Sequence, residues 1–207
     1  MKLLTAHSEP YRELHELTLP SKQEYCERWG IELEVRTFPG EGPGPWARPK
    51  MWREVLEAAK ELIWMGADVM VTNMALSPLE VFGPCVDFQI GYDMSYHLPG
   101  NRRGCSDDAF YINRSAQRIL DCIIDADSMC DNEQTALNII LPLADSIFRI
   151  GLVPLRQIAS YVEHNWGTPE EIERDAWQTG DFASHFSGIP LERRIELARE
   201  YQKRIVR

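Results

Sequence analysis

The sequence predicts an α/β fold in which strands and helices alternate early and helices dominate late. The chain opens as strand, loop, helix and strand, which is how folds that bind nucleotides at a sheet edge begin. Its 207 residues are 44% hydrophobic and 26% charged. That composition is ordinary for a globular protein, and the length suffices for one domain with its own core.

The first half carries clear helix and strand signals. Residues 2–6 predict a first strand. Ser21 is predicted to begin a helix, because Glu24 three residues later completes a capping box. Gly30 is predicted to end that helix, and the alternation over residues 31–36 predicts a half-buried strand.

A Gly/Pro-rich surface loop at residues 39–45 precedes an amphipathic helix whose apolar face carries Met51, Val55, Ala59 and Leu62. Periodicity leaves two ends open: a cap at Gly66, or a stop near Lys60 with residues 62–65 as a strand. Further predicted strands are 69–72, 88–92 and 110–112; further predicted helices are 116–124, 133–141 and 191–207; residues 164–182 are predicted to be irregular.

Composition narrows the class of protein. No apolar run reaches the roughly 18 residues of a membrane helix, and the N-terminus does not resemble a signal peptide, so we expect a cytoplasmic protein.

Five cysteines without framework spacing predict reduced thiols, with Cys122 and Cys130 as residues that fill the core. The net charge of −10 argues against broad contact with nucleic acid, and the basic residues in 193–207 favour a solvated helix face.

Phosphate-binding glycine motifs are absent from the sequence: neither G-x-G-x-x-G nor G-x-x-x-x-G-K-[ST] occurs. Two other segments suggest a ligand site. Asp68 stands beside an apolar strand, where a carboxylate either holds a divalent cation at the sheet edge or caps a turn. His185 lies among small and aromatic residues, where an imidazole either faces a ligand or is a satisfied core residue.

Two more segments carry clustered polar groups. Asp107 and Asp108 follow Arg102 and Arg103; the paired carboxylates suit acid/base chemistry, although a polar loop is the favoured interpretation. Asp131 or Asn132 is predicted to cap a helix, which places Glu133 and Gln134 in a first turn that can face a cleft.

Taken in order, five segments of the chain resemble glycosyltransferase family 34, which includes yeast α-galactosyl- and mannosyltransferases and plant xyloglucan xylosyltransferases. A helix led by Lys50 resembles the Lys-led helix of that family, and residues 64–73 resemble its W-x-D-x-D-A-x-I-x-N segment. Residues 110–115 resemble F-L-I-R-N-S, and residues 133–137 resemble D-Q-S-A-L. Residues 180–188 resemble the closing G-D-F-x-x-H-F-x-G, the most specific of these motifs.

The resemblance implies an A-type glycosyltransferase fold, a Rossmann-like mixed sheet flanked by helices in a single domain. Its parts would be a nucleotide-binding half (1–73), an acceptor and sugar half (74–188) and a C-terminal helix (189–207). The family moves a sugar from a nucleotide-diphosphate donor with retention of configuration, usually with manganese.

Residue roles also follow from the resemblance. It implies metal ligation by Asp68, as the second acid of the D-x-D motif, and by His185. It implies catalytic roles near the transferred sugar for Glu133, Gln134 and Asp108. It implies donor binding by a wider set: Thr5, His7, Ser8, Lys50, Asp68 and Asp107.

This chain departs from the family pattern at informative positions. Gly66 replaces the first acid of the D-x-D motif, which puts the divalent cation, expected to be manganese, in question. Asp108 replaces a glycine, and Asn113-Arg114 reverses the usual order. The secretory anchor of the eukaryotic members does not appear, so a bacterial or phage origin is expected.

Several alternatives stay open at the sequence level. The acceptor could be a saccharide, a protein or a modified base of phage DNA. The loss of an acid at Gly66 also suits a degenerate, non-catalytic protein that only binds a nucleotide sugar. A match by chance to an unrelated α/β enzyme is a further alternative. Neither the donor sugar nor the oligomeric state follows from the sequence.

Overall fold

The computed structural model describes residues 1–40, 46–83, 85–98, 102–163 and 168–207. Its strands are β1 (Lys2–Ser8), β2 (Glu32–Phe38), β3 (Glu61–Met65), β4 (Val69–Val71), β5 (Phe88–Leu98), β6 (Arg102–Asn113), β7 (Ile150–Pro154), β8 (Ser160–Tyr161) and β9 (Ala183–His185). Its α-helices are α1 (Arg12–Trp29), α2 (Ala47–Ala58), α3 (Pro78–Phe82), α4 (Gln117–Asp125), α5 (Glu133–Ala144), α6 (Leu155–Ile158), α7 (Pro169–Asp175) and α8 (Leu191–Tyr201). None of the helices in these ranges combines the length and apolar character needed to cross a bilayer.

In the described part of the chain, a mixed six-stranded sheet has the order β2-β1-β3-β6-β5-β7, and a small sheet has the order β4-β9-β8. Strand β1 lies parallel to both β2 and β3, so the carboxyl ends of these three strands meet at one edge. Strand β6 runs antiparallel to β3, so the part of β6 that precedes Ala109 lies at this edge. The predicted mixed sheet flanked by helices is therefore confirmed.

Alternating side chains along β3 divide the core between the two faces of the large sheet. Leu62 and Trp64 pack with residues of α2, α4 and α5. Ile63 and Met65 pack on the opposite face with residues of α1, α3 and α6. All four side chains are buried, as the period of two in a strand covered on both faces requires.

The first helix begins earlier than predicted. Helix α1 starts at Arg12, and Ser21 lies inside it, with Pro20 also in the helix. The Ser21 hydroxyl donates to Thr18 O and accepts from the backbone N–H of Val71, so a tertiary contact uses the group that the capping box assigned to the helix end. Gly30 does end the helix, with φ of +64°, and residues 62–65 belong to a strand rather than to α2.

Further predictions are wrong in the second half. Asp107 and Asp108 belong to β6 rather than to a polar loop. Part of the region predicted to be irregular forms α7, capped by Thr168; residues 164–167 lie outside the described residues, as do 41–45 of the predicted surface loop. Helix α8 ends at Tyr201 and a 3-10 turn follows it, so it does not reach residue 207. Cys122 is exposed, which contradicts its expected place in the core, while Cys130 packs against the core from a partly buried position.

Asp87 joins the ends of three neighbouring strands of the large sheet. Its carboxylate accepts hydrogen bonds from the backbone and guanidinium of Arg149 and from the side chains of Asn113 and Ser115. The hydrogen bonds from Arg149, above all, hold the pKa of Asp87 well below its usual range.

Replacing Asp87 with Asn is expected to lower the free energy of unfolding by about 1–2 kcal/mol at pH 7, because the charged carboxylate that accepts hydrogen bonds from Arg149, Asn113 and Ser115 is lost. A depressed folded-state pKa stabilises the fold above the unfolded pKa of about 4, and this contribution fades as the pH falls towards the folded value. Urea unfolding should therefore show a smaller difference between the two proteins at pH 3 than at pH 7.

Asp121→Asn provides the control for this measurement. Asp121 pairs with Arg53 at the surface of α4, and its side chain is 41% exposed. Its loss should cost less than about 1 kcal/mol. A difference between Asp87→Asn and the wild type that did not change with pH would contradict the role given to the Asp87 carboxylate.

Candidate active site

A cleft of about 550 Å³ opens where β1, β2, β3 and β6 reach the same edge of the large sheet. Crevices at the carboxyl ends of parallel strands are the usual ligand sites of open α/β sheets. The predicted site residues that line this cleft are His7, Ser8, Asp68, Asp107, Asp108, Glu133 and Gln134.

Asp68 and Asp108 line the cleft, and His185, which is buried and does not line it, completes a cluster in which one ligand atom of each residue lies within 4.8 Å of the others. His185 Nε2 lies 3.6 Å from Asp68 Oδ1 and 3.3 Å from Asp108 Oδ2. The His185 ring is completely buried, and among the described residues neither of its nitrogens makes a hydrogen bond of good geometry. A buried imidazole that makes no such hydrogen bond and faces two carboxylates has, together with them, the donor atoms that a divalent cation takes.

The pKa shifts of His185 and Asp68 also favour a positive charge in this cluster. Burial opposes a charge on His185, yet Asp108 and Asp68 raise the pKa of its ring to about 9. Burial likewise opposes ionisation of Asp68, yet His185 and Arg194 lower its pKa to about 2. The two carboxylates therefore favour a positive charge at this point, which a proton or a metal ion can supply.

The local geometry accounts for Gly66 in place of an acid. A Cβ atom on Gly66 would lie 3.0 Å from Asp68 Oδ1 and 3.5 Å from Asp108 O. Strand pairing brings Asp108 to this place, since the N–H of Gly66 donates to Asp108 O at 2.8 Å. The second carboxylate of the cluster thus comes from β6, across the sheet, rather than from the D-x-D position.

Helix α1 fixes the turn that carries Gly66 and Asp68. The ammonium of Lys22 is fully buried and donates to Gly66 O at 2.8 Å and to the hydroxyls of Thr5 and Thr18. The Thr18 hydroxyl also donates to Ala67 O at 2.7 Å. Burial lowers the pKa of Lys22 to about 7, and these three acceptors satisfy the amine in a place without solvent.

On the opposite side of the cleft, Arg48 binds two buried carboxylates. Its guanidinium pairs with Glu133 and lies 3.2 Å from Asp107 Oδ2. Burial raises the pKa of Asp107 to about 6 and also raises the pKa of Glu133, while Arg48 acts against both shifts. The arrangement presents a fixed cation beside the first turn of α5.

Hydrogen bonds hold that first turn of α5 in place. Asn132 is the cap: its side-chain oxygen accepts from the N–H of Thr135 at 2.9 Å. The amide nitrogen of Gln134 donates to Cys105 O at 2.9 Å, and Asn138 Oδ1 accepts from the N–H of Cys105 at 2.7 Å. Glu133 and Gln134 therefore line the cleft on a turn that is fastened to β6.

The end of β1 carries an aromatic pair. The ring of His7 stacks on that of His15 with 4.5 Å between centroids, and Thr37 Oγ1 lies 3.3 Å from His7 Nε2. His7 and Ser8 line the cleft beside Phe38 of the neighbouring strand. A flat ring and nearby polar atoms are features that suit a nucleoside.

Two of the residues assigned to donor binding do not line the cleft. Thr5 is completely buried and bonded to Lys22. Lys50 is exposed on α2, whereas Arg48 two positions earlier enters the cleft. Arg48 stands four residues before the fully buried Trp52, so helical spacing from that tryptophan places it on the inward face.

Arginines of the basic C-terminal segment are largely engaged by acidic neighbours. Arg193 pairs with Glu163 and Glu196, and Arg199 with Glu13. Arg204 pairs with Glu200 and Arg207 with Glu24. The side chains of Arg102 and Arg103, the other basic pair noted in the sequence, lie outside the described residues.

Comparison with known proteins identifies the fold. No family model matches the sequence, and no curated protein matches it. Among solved structures, the chain resembles a glycosyltransferase involved in the glycosylation of the major capsid of PBCV-1, with a TM-score of 0.72, 15% identity and coverage of 96% of this chain and 98% of that one.

The chain has a glycosyltransferase fold. It also resembles the galactosyltransferase LgtC in complex with donor and acceptor sugar analogs, with a TM-score of 0.55, 11% identity and coverage of 97% and 96% of the two chains. A third match, the bifunctional glycosyltransferase WbbM, has a TM-score of 0.64 and 8% identity over 99% of this chain and 51% of that one. These likenesses confirm the predicted A-type fold and do not single out family 34.

Proposed function

We propose that this protein transfers a sugar from a nucleotide-diphosphate donor to an acceptor, with retention of anomeric configuration and the help of a divalent cation. The observation that carries the proposal is the cluster of Asp68, Asp108 and the buried His185, of which the two carboxylates line the cleft. The glycosyltransferase fold supports it.

Each part of the cleft suits one part of such a donor. His7, Ser8 and Phe38 suit the nucleoside, because they offer flat and polar surfaces at the end of β1 and β2. Asp68, Asp108 and His185 would hold the cation, and a hard cation bound there neutralises charge that accumulates on a departing diphosphate. Glu133 and Gln134 lie on the far side, where the transferred sugar would stand.

The carboxylates of the described cleft are all engaged, which disfavours a covalent sugar–enzyme intermediate. Glu133 and Asp107 pair with Arg48, Asp68 pairs with Arg194, and Asp108 faces His185. Retention is then best explained by attack of the acceptor hydroxyl on the face that the diphosphate leaves. The new carbon–oxygen bond forms as the bond to the diphosphate breaks, and a diphosphate oxygen takes the hydroxyl proton.

A thermal-shift screen of UDP- and GDP-sugars, each with Mn²⁺ or with a chelator, tests the proposal. A donor present at about 100 times its Kd stabilises the fold by about 2.7 kcal/mol, which corresponds to a rise in Tm of about 5–10 °C for a chain of this size. We expect one nucleotide class to give this shift with Mn²⁺ and a much smaller one with chelator. The stabilising donor should then be incubated with saccharide acceptors and the anomeric configuration of the product read by NMR.

Other outcomes would each remove a part of the proposal. A rise in Tm that the chelator does not change would contradict the role proposed for the cation. A metal-dependent shift without transfer to any acceptor would favour a protein that only binds nucleotide sugars. We do not propose the modified DNA base as acceptor, because the basic C-terminal segment is engaged in ion pairs within the chain.

A further inference from the structure

Arg194 in the first turn of α8 pairs with a carboxylate of the Asp68, Asp108 and His185 cluster. Its Nη1 atom donates to Asp68 Oδ2 at 3.0 Å, and its Nε donates to Ile189 O at 2.8 Å. The guanidinium lies 5.9 Å from the ring centroid of Tyr11, which also lines the cleft. Its side chain is only 16% exposed, so the contact with Asp68 lies in a partly desolvated place.

This contact puts Arg194 in competition with a cation for the same carboxylate. Asp68 presents Oδ1 to His185 and Oδ2 to Arg194. A divalent ion held by Asp68 would lie next to the guanidinium of Arg194. Two neighbouring positive charges repel each other strongly in a partly buried site. Arg194 therefore opposes cation binding as long as the cleft holds no further anion.

A diphosphate changes this balance. It brings several anionic oxygens to the cluster, and a guanidinium binds such oxygens with two parallel N–H donors. Arg194 lines the cleft with a long side chain, so it can exchange the Asp68 carboxylate for phosphate oxygens. Both cations then face anions, and their mutual repulsion is offset.

We propose that Arg194 is a donor-binding residue that exchanges partners: it pairs with Asp68 in the free protein and with the donor diphosphate once a cation occupies the cluster. This inference rests on the proposed function and adds to it a reason why cation and donor would bind together. The exchange makes the binding of each ligand strengthen the binding of the other, by the same factor in both directions.

The test compares wild type, Arg194→Gln and Arg193→Gln by titration calorimetry with three probes: Mn²⁺ alone, and UDP or GDP in the presence of saturating Mn²⁺. Arg194→Gln is expected to bind Mn²⁺ alone about 10-fold more tightly, because Asp68 is released. It is expected to bind the effective nucleoside diphosphate about 10- to 100-fold more weakly, because charged hydrogen bonds to the phosphates are lost. These opposite changes separate the proposed role from a structural one, which would weaken both.

Arg193→Gln is the matched control, because it removes the same charge from the next position, where the side chain pairs with Glu163 and Glu196 at the surface. It should leave all three affinities unchanged. Arg194→Lys keeps the positive charge but lacks the two parallel N–H donors of the guanidinium, so it should give intermediate affinities. This second variant keeps the test valid if Arg194→Gln folds poorly.

Two results would overturn the inference. The inference is wrong if Arg194→Gln binds Mn²⁺ more weakly than the wild type does, or if it binds the nucleoside diphosphate as tightly as the wild type does. Either result leaves the proposed function in place. A wild-type protein that binds neither Mn²⁺ nor either nucleotide would overturn the proposed function and this inference together.

Discussion

Replacing Arg48 with Met is expected to lower the free energy of unfolding by about 3–5 kcal/mol and to abolish measurable sugar transfer. The side chains of Glu133 and Asp107 are 2% and 7% exposed, and the substitution leaves both carboxylates without their cation. Removing one partner of a buried ion pair typically costs this much, since an uncompensated charge remains. Urea unfolding and an assay of transfer from the stabilising donor measure the two effects.

Lys50→Met is the control for Arg48→Met, because it removes a positive charge two positions away on the same helix. Lys50 is exposed, so its loss should change stability by less than about 0.5 kcal/mol. Equal effects of the two substitutions would contradict the role given to Arg48. A loss of activity in Lys50→Met alone would instead support the donor contact that the family resemblance implies.

Asp108→Asn is expected to weaken binding of Mn²⁺ by at least about 100-fold and to lower transfer accordingly. The substitution keeps the shape of the side chain and removes the carboxylate that faces His185 Nε2 at 3.3 Å. Losses of this order accompany the removal even of groups that only support metal ligands. Calorimetry with Mn²⁺ gives the affinity, and thermal unfolding checks that the fold remains.

Asp121→Asn again serves as control, since its carboxylate pairs with Arg53 away from the cleft. If Asp108→Asn bound Mn²⁺ like the wild type while Asp68→Asn did not, the ligand set would reduce to Asp68 and His185. That outcome would restore the two-residue site predicted from the sequence alone.

Local signals predicted much of the fold but not its long-range contacts. Gly30 ended its helix as predicted, because a left-handed cap is a property of a few adjacent residues. The prediction that Ser21 begins the helix was wrong. Its hydroxyl accepts a hydrogen bond from the backbone N–H of Val71 in β4, and no short window of sequence contains that partner. Asp107 and Asp108 likewise resembled a loop, but they continue the strand β6, whose residues Ala109–Asn113 pair with β3.

The candidate site divides in the same way. Asp68 and His185 were found from motifs, and the structure brings them together. Arg48 was overlooked in favour of Lys50, although the spacing from Arg48 to Trp52 marks the inward face of the helix. The partnership of Asp108 with Gly66 could not be predicted, because it depends on the register between two strands that are distant in sequence.

The pairing of β4 with β9 also has a consequence for the order in which the protein is made. Val69 lies opposite His185 in that pair, and Asp68 meets Arg194 across a separation of 126 positions. The strands of the large sheet, in contrast, all lie within residues 2–154. During synthesis the strands of the large sheet are therefore made before His185, which completes the cluster with Asp68 and Asp108. A chain released by the ribosome before residue 185 would keep the strands of the large sheet and lack the imidazole of the Asp68, Asp108 and His185 cluster.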